Sequence, residues 1–323
     1  MAYDYCKICS SELLPPKLEL FNIPNVTSDC RPWPTGRSVA ICPGCGIMQR
    51  IVLPEAASSF GDIYENYEMF KHSKVASDQM NFNLHGISEG RTQKILKFME
   101  GKLLKSPSSV LDIGSGSGAG LIALANQFPK ASIYGYEPND RPAERQKTLP
   151  DNIISILNQR PAVGKKYDLV TLFHVFEHVE DVFELLNFIG SVLSTKGHLL
   201  IQVPYPICGP FDFIIADHIW HFTKKSIVLL LSKANYEILY IGNEIIEKEL
   251  TVLAAHGKSN DSLLLNSSEL EQSLDAIRWL VQYKLFLDNL RGEANSLAIY
   301  GTGPAGAWAG HILGDSVFAY LDD

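Results

Sequence analysis

The sequence predicts an α/β protein with a doubly wound, mostly parallel sheet, because strand-like and helix-like segments alternate along most of the chain. From about residue 87, short runs rich in Val, Ile and Leu are followed by longer runs with helical spacing. Such alternation is typical of β-α-β crossovers, which build parallel sheets covered by helices on both faces. The predicted strands are 109–113, 132–136, 153–156, 168–173 and 198–203, and the clearest helices are 118–127 and 181–193.

The sequence from residue 236 onward predicts further strands and helices. Residues 236–241 and 250–256 flank a short polar, acidic connection, which predicts a terminal antiparallel hairpin. A long helix follows a capping box at 268–271. Strand 297–300, a glycine loop, a helix and strand 317–321 then form one β-α-β unit. Because one such unit cannot close a core, we expect that the chain is truncated or that the unit docks on something else.

Composition and charge exclude several kinds of partner. The 323 residues are 46% hydrophobic and 20% charged, with a net charge of -8 and no basic run, so nucleic acid is not expected as a partner. No apolar stretch approaches the roughly 18 residues that cross a membrane, and the N-terminus lacks the features of a signal peptide. We therefore predict a cytoplasmic protein without a membrane partner, and its oligomeric state is left open.

Four of the six cysteines form two C-x-x-C pairs, Cys6 with Cys9 and Cys42 with Cys45. In a reducing compartment, such pairs favour metal thiolates over disulfides. Four thiolates complete the tetrahedral shell of a zinc ion and leave no open position, so the pattern predicts a structural zinc site. The alternative is four unrelated buried cysteines.

A glycine-rich loop, Asp112–Gly118, follows the first strand of the predicted sheet and opens a helix. Gly114, Gly116 and Gly118 let the backbone turn tightly and approach a ligand beside the free N–H groups of the helix N-terminus. With Ala119 the glycines also satisfy the dinucleotide pattern G-x-G-x-x-G/A. Asp112 favours a different ligand, because its carboxylate would repel a pyrophosphate. It would suit S-adenosylmethionine (SAM), which carries an ammonium and a sulfonium.

A second acid supports a nucleoside-type ligand at the same loop. Glu137 ends the strand 132–136 and lies 25 residues after Asp112. A carboxylate at that place can accept hydrogen bonds from both ribose hydroxyls of a bound nucleoside. The alternative is a solvated carboxylate at the end of a strand, which the matching glycine loop makes the weaker interpretation.

Three motifs together resemble the class I SAM-dependent methyltransferases. They are L-D-I-G-S-G-S-G around Asp112, G-Y-E-P around Glu137, and Y-D-L-V-T-L-F-H-V-F-E-H-V over residues 167–179. The resemblance implies that the loop residues bind SAM and that His174 lies along the cofactor. It also implies that Glu177-His178 faces the substrate.

The segment Asp217–Thr223 carries candidates for acid–base chemistry. A histidine is the natural general base for a sugar hydroxyl or an acidic carbon, since its pKa lies near the working pH. We predict that His178 and His218 handle the acceptor proton and that Asp217 orients His218. His221 is predicted to be structural, which is also the alternative interpretation of any single histidine here.

The order of motifs along the whole chain resembles that of one group within these methyltransferases. A cysteine module ending in C-P-G-C-G-I-M-Q, the methyltransferase motifs, and a helix leading into I-Y-G-T-G-P-A-G are similar to the deoxysugar C-methyltransferases, which act on nucleotide-linked 4-keto sugars. That family has a pattern close to Y-H-E-H near its base, where this sequence has Ile215-Ala216-Asp217-His218. The resemblance implies a sugar-type, small-molecule acceptor and leaves O- and C-methylation open. Tyr64 or Tyr67 would match the N-terminal tyrosine of that family's site.

A second glycine loop near the end of the chain matches G-x-G-x-x-G through Gly301, Gly303 and Gly306. Tyr300 precedes these glycines where the first loop has an acid, so the loop could accept a phosphate. The alternative, which we favour, is that its glycines only allow close packing, because a lone motif of this kind is weak.

These observations divide the chain into five predicted segments. They are a zinc-binding module (1–60), a connecting segment over the site (61–85), a SAM-dependent methyltransferase domain (86–260), a linker helix (261–292) and the start of a Rossmann-like unit (293–323). The alternative function is a non-catalytic SAM- or nucleotide-binding protein on the same scaffold. A dinucleotide oxidoreductase is disfavoured by Asp112.

Overall fold

The computed structural model contains two compact units, each built from several stretches of the chain. The terminal unit comprises Met1–Phe70, Pro204–Leu229 and Leu265–Asp323, and the sheet unit comprises Lys71–Val203 and Leu230–Leu264. The five segments predicted from the sequence stay a prediction. The residues that the structure describes are 5–52, 63, 80–82, 88–103, 105–116, 118–138, 150–162, 164–258, 268–293 and 296–321.

The elements follow one another much as the sequence predicts. The helices are α1 (Arg91–Glu100), α2 (Ala119–Gln127), α3 (Val182–Val192), α4 (Lys224–Lys233), α5 (Glu269–Glu293) and α6 (Pro304–Leu313). The strands are β1 (Asn25–Val26), β2 (Pro32–Trp33), β3 (Arg37–Ile41), β4 (Met48–Val52), β5 (Met80–Phe82), β6 (Ser88–Gly90), β7 (Ser109–Ile113), β8 (Ser132–Tyr136), β9 (Ile153–Leu157), β10 (Tyr167–Phe173), β11 (Leu193–Pro204), β12 (Trp220–His221), β13 (Tyr236–Gly242), β14 (Glu249–His256), β15 (Leu297–Tyr300) and β16 (Val317–Leu321).

The sheet unit is built on a seven-stranded sheet in the order β13-β14-β11-β10-β7-β8-β9. The pairs β11–β10, β10–β7, β7–β8 and β8–β9 are parallel, and β13 pairs with β14 in an antiparallel hairpin. The predicted α/β class, the mostly parallel sheet and the terminal hairpin are therefore confirmed. In the shared register, Asp112 of β7 lies between Thr171 of β10 and Gly135 of β8.

The central strands are apolar because helices cover them. In β7, Val110, Leu111 and Ile113 are buried, and α2 contributes Leu121 and Leu124 to the same core. Burial on both faces removes the alternation of polar and apolar residues that would mark a half-exposed strand. Asp112 is the exception in β7, since it is only 2% exposed and carries a charge-bearing group into this core.

The N-terminal part of the terminal unit contains structure that its weak sequence pattern did not predict. Strands β12, β4 and β3 form an antiparallel sheet, and β1 pairs with β2. All five residues of β3 are buried, which explains the missing alternation. The segment around His221 forms the short strand β12, which pairs with β4, Trp220 opposite Gln49 and His221 opposite Met48.

The predicted C-terminal β-α-β unit is confirmed, with β15 and β16 paired in parallel. Its helix α6 contributes Trp308, Ile312 and Leu313 to the core of the terminal unit, and the Trp308 indole N–H donates to the carbonyl of Pro24 at 2.8 Å. No helix in the described part of the chain combines the length and apolar character needed to cross a membrane.

Candidate functional site

The first glycine loop requires its glycines for backbone reasons. Gly114, Gly116 and Gly118 have φ angles of 73°, 47° and 87°, a region that other residues rarely adopt. At Gly114, a Cβ would lie 2.3 Å from Cγ2 of Val175, so no side chain fits there without movement. The Gly114 amide donates to the carbonyl of Tyr136 at 2.8 Å, which fixes the loop at the end of β8. Gly118 is the N-cap of α2, so the loop delivers free helix N–H groups.

Asp112 is buried at the start of this loop. Its Oδ1 accepts a hydrogen bond from the Thr171 hydroxyl at 2.6 Å, across the β7–β10 register. Burial raises the pKa of Asp112, the Thr171 hydrogen bond opposes this shift, and the nearby charge of Glu137 adds to it, so that the net pKa is about 7. A carboxyl with this pKa is sensitive to any cation that binds at the loop.

Glu137 follows β8 and reaches back to the loop. Its Oε2 accepts a hydrogen bond from the Gly116 amide at 3.0 Å. The carboxylate is therefore held beside the glycine backbone, where it can accept further hydrogen bonds through its remaining lone pairs. Thus Asp112, the three loop glycines and Glu137 lie together at one edge of the sheet, as the sequence predicts. Their contact with a cofactor stays a prediction.

His174 is a non-glycine residue with a left-handed backbone, at φ 55°, directly after β10. Its Nδ1 lies 3.2 Å from Oε1 of Glu177, and its Nε2 lies 3.5 Å from Oε1 of Glu249. Although burial and the charge of Arg91 oppose protonation, the two carboxylates raise the pKa of His174 above its ordinary value. The two carboxylates therefore favour the protonated form of the ring.

Two further members of this network, Arg91 and Glu249, were not predicted from the sequence. The Arg91 guanidinium pairs with Glu249 Oε1 at 2.9 Å, and the Gln202 side-chain amide donates to Glu249 Oε2. Arg91 begins α1 and Glu249 begins β14, so neither lies near His174 in the sequence. A buried glutamate at the start of an apolar strand was the available signal, because such a charge is seldom buried without a partner.

The two histidines predicted to handle the acceptor proton belong to different compact units. His178 is a half-buried residue at the end of a short 3₁₀ turn, Phe176–His178, in the sheet unit. His218 is buried in the terminal unit.

Within the terminal unit, His218 and His221 share one carboxylate, that of Asp212. His218 Nδ1 lies 2.6 Å from Asp212 Oδ1, and His221 Nδ1 hydrogen bonds to Asp212 Oδ2. Burial opposes ionisation of Asp212, but the adjacent His221 and His218 hold its pKa well below the ordinary value. Burial lowers the pKa of His221 to about 4, so this ring is neutral at pH 7. Its Nε2 has no hydrogen-bond partner among the described residues.

His218 faces the carboxylate of Asp212, which was not predicted from the sequence. Asp217 was predicted to orient His218, and that role stays a prediction. Its Oδ1 accepts from the Ser28 amide at 2.8 Å, and its Oδ2 accepts from the Ser28 hydroxyl at 2.5 Å. Adjacent residues often point apart, whereas a short 3₁₀ turn over Pro210–Ile214 places Asp212 beneath the two rings.

Arg50 fixes the backbone of this histidine segment. Its buried guanidinium donates to the carbonyls of His218 at 3.0 Å, Phe213 at 2.8 Å and Ile215 at 2.6 Å. Burial lowers the pKa of Arg50 to about 10, so the group stays charged at pH 7. One cation on β4 thus determines the path of the chain on either side of Asp217.

The four paired cysteines lie together. The ligand atoms of Cys6, Cys9, Cys42 and Cys45 all lie within 4.8 Å of one another. Cys6 Sγ is 3.6 Å from Cys45 Sγ, and Cys9 Sγ is 3.3 Å from Cys42 Sγ. The amides of Cys9 and Cys45 point at Cys6 Sγ and Cys42 Sγ, at 3.5 and 3.4 Å. Both pairs therefore present sulfurs from tight turns toward a common centre.

The second glycine loop has a different construction. Gly301 has φ 100°, and its amide donates to the carbonyl of Leu321 at 2.7 Å. A Cβ at Gly306 would lie 2.0 Å from the carbonyl oxygen of Gly301, whereas one at Gly303 would meet nothing within 4 Å. Gly306 is thus needed for the close packing of α6 on the loop, in accord with the packing interpretation. Tyr64 and Tyr67 lie outside the described residues.

Residues 85–241 match the family model described as a methyltransferase domain. The motifs around the first glycine loop therefore lie within a segment that matches a methyltransferase family, as they predict. This match covers the loop, the two acids around it and His174, together with Arg91, Glu177 and Gln202 of its network, whereas Glu249 lies beyond the matched residues.

Two curated relatives and two solved structures show the range of similar proteins. Methyltransferase str3 of Strobilurus tenacellus is 34% identical over 116 residues, which cover 33% of this chain and 41% of that protein. C-methyltransferase NovU of Streptomyces niveus is 24% identical over 145 residues, which cover 40% of this chain and 33% of that protein. The chain thus spans less than half the length of these relatives.

The solved structures have lower identity. The plantazolicin methyltransferase BpumL in complex with SAH is 18% identical and has a TM-score of 0.44, with 52% of this chain and 83% of that chain covered. Human N-acetylserotonin methyltransferase in complex with SAM is 16% identical and has a TM-score of 0.45, with 52% of each chain covered.

Proposed function

We propose that the chain transfers a methyl group from SAM to a small-molecule, sugar-type acceptor. The observation that carries this proposal is the glycine loop between Asp112 and Glu137 in a methyltransferase domain. Asp112 lies buried beneath the loop, and Glu137 lies beside the backbone of Gly116. This set of groups suits a cationic nucleoside better than a pyrophosphate, because both side chains are acidic.

SAM supplies an electrophilic methyl group on a sulfonium, so the protein has to position the two reactants and remove a proton. Gly114, Gly116 and Gly118 would hold the amino-acid end of the cofactor, and Glu137 would accept from its ribose hydroxyls. Asp112 would balance its positive charge, and His174 would lie along it.

His218 would act as the general base on the acceptor. The hydrogen bond from its Nδ1–H to Asp212 leaves Nε2 as the basic nitrogen, which is the arrangement of an oriented base. His178 remains the second candidate for proton transfer, from the sheet unit. Asp217 would support His218 from the neighbouring position, with its own carboxylate held by Ser28.

The acceptor is proposed from similarity and from chemistry. A relative of this chain carries the name C-methyltransferase, and the arrangement of motifs resembles the deoxysugar C-methyltransferases. A histidine base serves either a sugar hydroxyl or a carbon next to a ketone. O- and C-methylation therefore both agree with this site, and a direct assay must decide between them.

We also propose that the four clustered cysteines bind a structural zinc ion. Four sulfurs at about 2.3 Å from zinc lie roughly 3.8 Å from one another, and the two measured Sγ–Sγ distances, 3.6 and 3.3 Å, are close to this. Cys6, Cys9, Cys42 and Cys45 would fill every position of the ion, so its role would be to hold the N-terminal turns.

Isothermal titration of the full chain with S-adenosylhomocysteine (SAH) tests the proposed cofactor. Micromolar binding is expected, and absence of heat at millimolar SAH would overturn the methyltransferase proposal. Incubation with methyl-labelled SAM and a panel of nucleotide sugars then tests the acceptor. Mild acid hydrolysis followed by mass spectrometry of the sugar separates O- from C-methyl products. SAH binding without turnover on any acceptor would favour the non-catalytic alternative.

Metal analysis of the purified chain tests the zinc proposal. We expect one zinc per chain, and a substantial loss of zinc in the variant Cys42→Ser. Cys208→Ser is the matched control, since Cys208 is exposed and lies outside the cluster. A metal content that is equal in both variants would argue against a site made by the two pairs.

A further inference from the structure

The turn that follows β10 is a strained feature in direct contact with the first glycine loop. His174 holds a left-handed backbone, which costs a residue with a Cβ more than it costs glycine. The next residue, Val175, fills the space where a Cβ of Gly114 would lie. The conformation of His174 therefore determines where Val175 packs against the loop.

Such a turn persists only if other contacts outweigh its strain. The ring of His174 faces two carboxylates. Glu177 Oε1 lies 3.2 Å from its Nδ1, and Glu249 Oε1 lies 3.5 Å from its Nε2. Glu177 lies in the same turn and would move with it. Glu249 belongs to β14 of the seven-stranded sheet, so it can hold the ring of His174 from outside the turn.

Glu249 is itself rigidly placed. Its side chain is 4% exposed and pairs with Arg91 at 2.9 Å, while Gln202 on β11 donates to its other oxygen. The backbone amide of His174 also donates to the carbonyl of Gln202 at 3.0 Å. Helix α1 and strand β11 therefore both contact the carboxylate that faces the strained turn.

We propose that Glu249 is a positioning residue for the cofactor loop, because it holds His174 in the left-handed turn that packs Val175 against Gly114. This inference rests on the proposed function, in that it assigns the loop to SAM. Without the Glu249 carboxylate, a larger fraction of molecules would adopt an ordinary turn. The apparent affinity for the cofactor would then fall with the fraction that keeps the competent turn.

Titration with SAH measures this effect, since it needs no acceptor. Glu249→Gln keeps the shape of the side chain and removes its charge. The ring of His174 then loses its ion pair at 3.5 Å, and we expect a roughly 10-fold weaker SAH affinity. Glu237→Gln is the matched control, because it makes the same substitution at an exposed glutamate on β13. It should bind SAH as tightly as the unaltered protein.

A second pair of variants separates positioning from mere stability. His174→Gly and His174→Ala both lack the ring, but only glycine adopts the left-handed turn without cost. His174→Gly should bind SAH about 5- to 30-fold more tightly than His174→Ala. In the His174→Gly background, Glu249→Gln should change the SAH affinity less than 2-fold, because no ring remains to be held.

The outcomes are distinguishable. If the unaltered protein fails to bind SAH, the proposed function is wrong and the inference falls with it. If the unaltered protein binds SAH while Glu249→Gln binds equally well, or if the two His174 variants bind equally, the positioning role is wrong and the function stands. Circular dichroism of each variant at the titration temperature confirms that it is folded; if Glu249→Gln does not fold, the two His174 variants decide.

Discussion

The chain contains two glycine loops of nearly the same sequence pattern, and they differ in what surrounds the glycines. The first, from Gly114 to Gly118, follows a central strand of the seven-stranded sheet and is flanked by Asp112 and Glu137. The second, from Gly301 to Gly306, follows Tyr300, which is 69% exposed, in a two-stranded sheet. One pattern of glycines thus occurs in two different chemical environments.

The spacing of the glycines therefore indicates the path of the backbone, but it does not indicate which ligand binds there. At the first loop, Gly114 is required because the side chain of Val175 fills the space above it, and an acid lies on either side of the loop. At the second loop, Gly306 is required because helix α6 packs on the carbonyl of Gly301, and Gly303 faces open space. The surrounding groups, rather than the motif, separate a cofactor cradle from a packing contact.

One added methyl group should change SAH affinity strongly at the first loop and hardly at the second. Gly114→Ala would place a Cβ 2.3 Å from Val175 on a backbone with φ 73°, so we expect SAH affinity to fall by about 100-fold or more. Gly303→Ala meets no atom within 4 Å and should leave SAH affinity within 2-fold. Calorimetric titration of both variants measures this. A greater loss of SAH affinity in Gly303→Ala than in Gly114→Ala would mean that the cofactor does not bind at the first loop.

The next effect concerns the acid at the end of β8. Glu137→Gln keeps one acceptor oxygen but loses the charge, so the hydrogen bonds to ribose hydroxyls would weaken, and SAH affinity should fall by roughly 10-fold or more. Glu180→Gln is the control, since Glu180 is an exposed glutamate of the same domain. Equal SAH affinity in the two variants would mean that Glu137 serves only to fix the Gly116 amide.

The second loop should respond in stability and not in cofactor binding. A Cβ at Gly306 would lie 2.0 Å from a backbone oxygen, which cannot move away as a side chain could. We expect Gly306→Ala to lower the free energy of unfolding by about 2 kcal/mol, as overpacking does, with SAH affinity unchanged. Urea denaturation followed by tryptophan fluorescence reports on this unit, because Trp308 is buried two residues further along α6. Unchanged stability would contradict the packing interpretation.

The sequence was sufficient where the evidence is local. The strand, glycine loop and helix around Asp112 were predicted within a residue or two, because apolar runs and glycines lie next to each other in the chain. The two cysteine pairs were equally clear, since each pair lies in one turn. Local patterns predict elements and their junctions well for this reason.

The sequence was insufficient where a contact joins distant residues. Arg50 binds the carbonyl of His218 across 168 positions, and no local pattern shows that a charged residue in a buried strand will do so. Glu269 lies in the predicted capping box, yet its carboxylate accepts the amides of Lys224 and Lys225, 45 and 44 positions away, at the start of α4. Such partners depend on the tertiary arrangement, which a single sequence does not specify residue by residue.

The last prediction concerns the charge of Asp112, which has no counterpart at the second loop. The pKa of Asp112 is about 7, above its ordinary value of 3.8, so the folded protein holds a proton that the unfolded chain releases. The stability that this group contributes is therefore greatest below pH 4 and is lost as the pH rises through 7, by a few kcal/mol at most. Asp112→Asn should remove this part of the pH dependence.

Binding of a cation beside Asp112 should lower its pKa and release about half a proton at pH 7. SAM carries the sulfonium charge that SAH lacks, so SAM should release more protons than SAH. Titrations in buffers of different ionisation enthalpy measure the number directly. In Asp112→Asn the difference between the two ligands should vanish, whereas in Gly303→Ala it should persist. An equal proton release for SAM and SAH in the unaltered protein would mean that the buried acid balances no cofactor charge, and that it serves the loop only through Thr171.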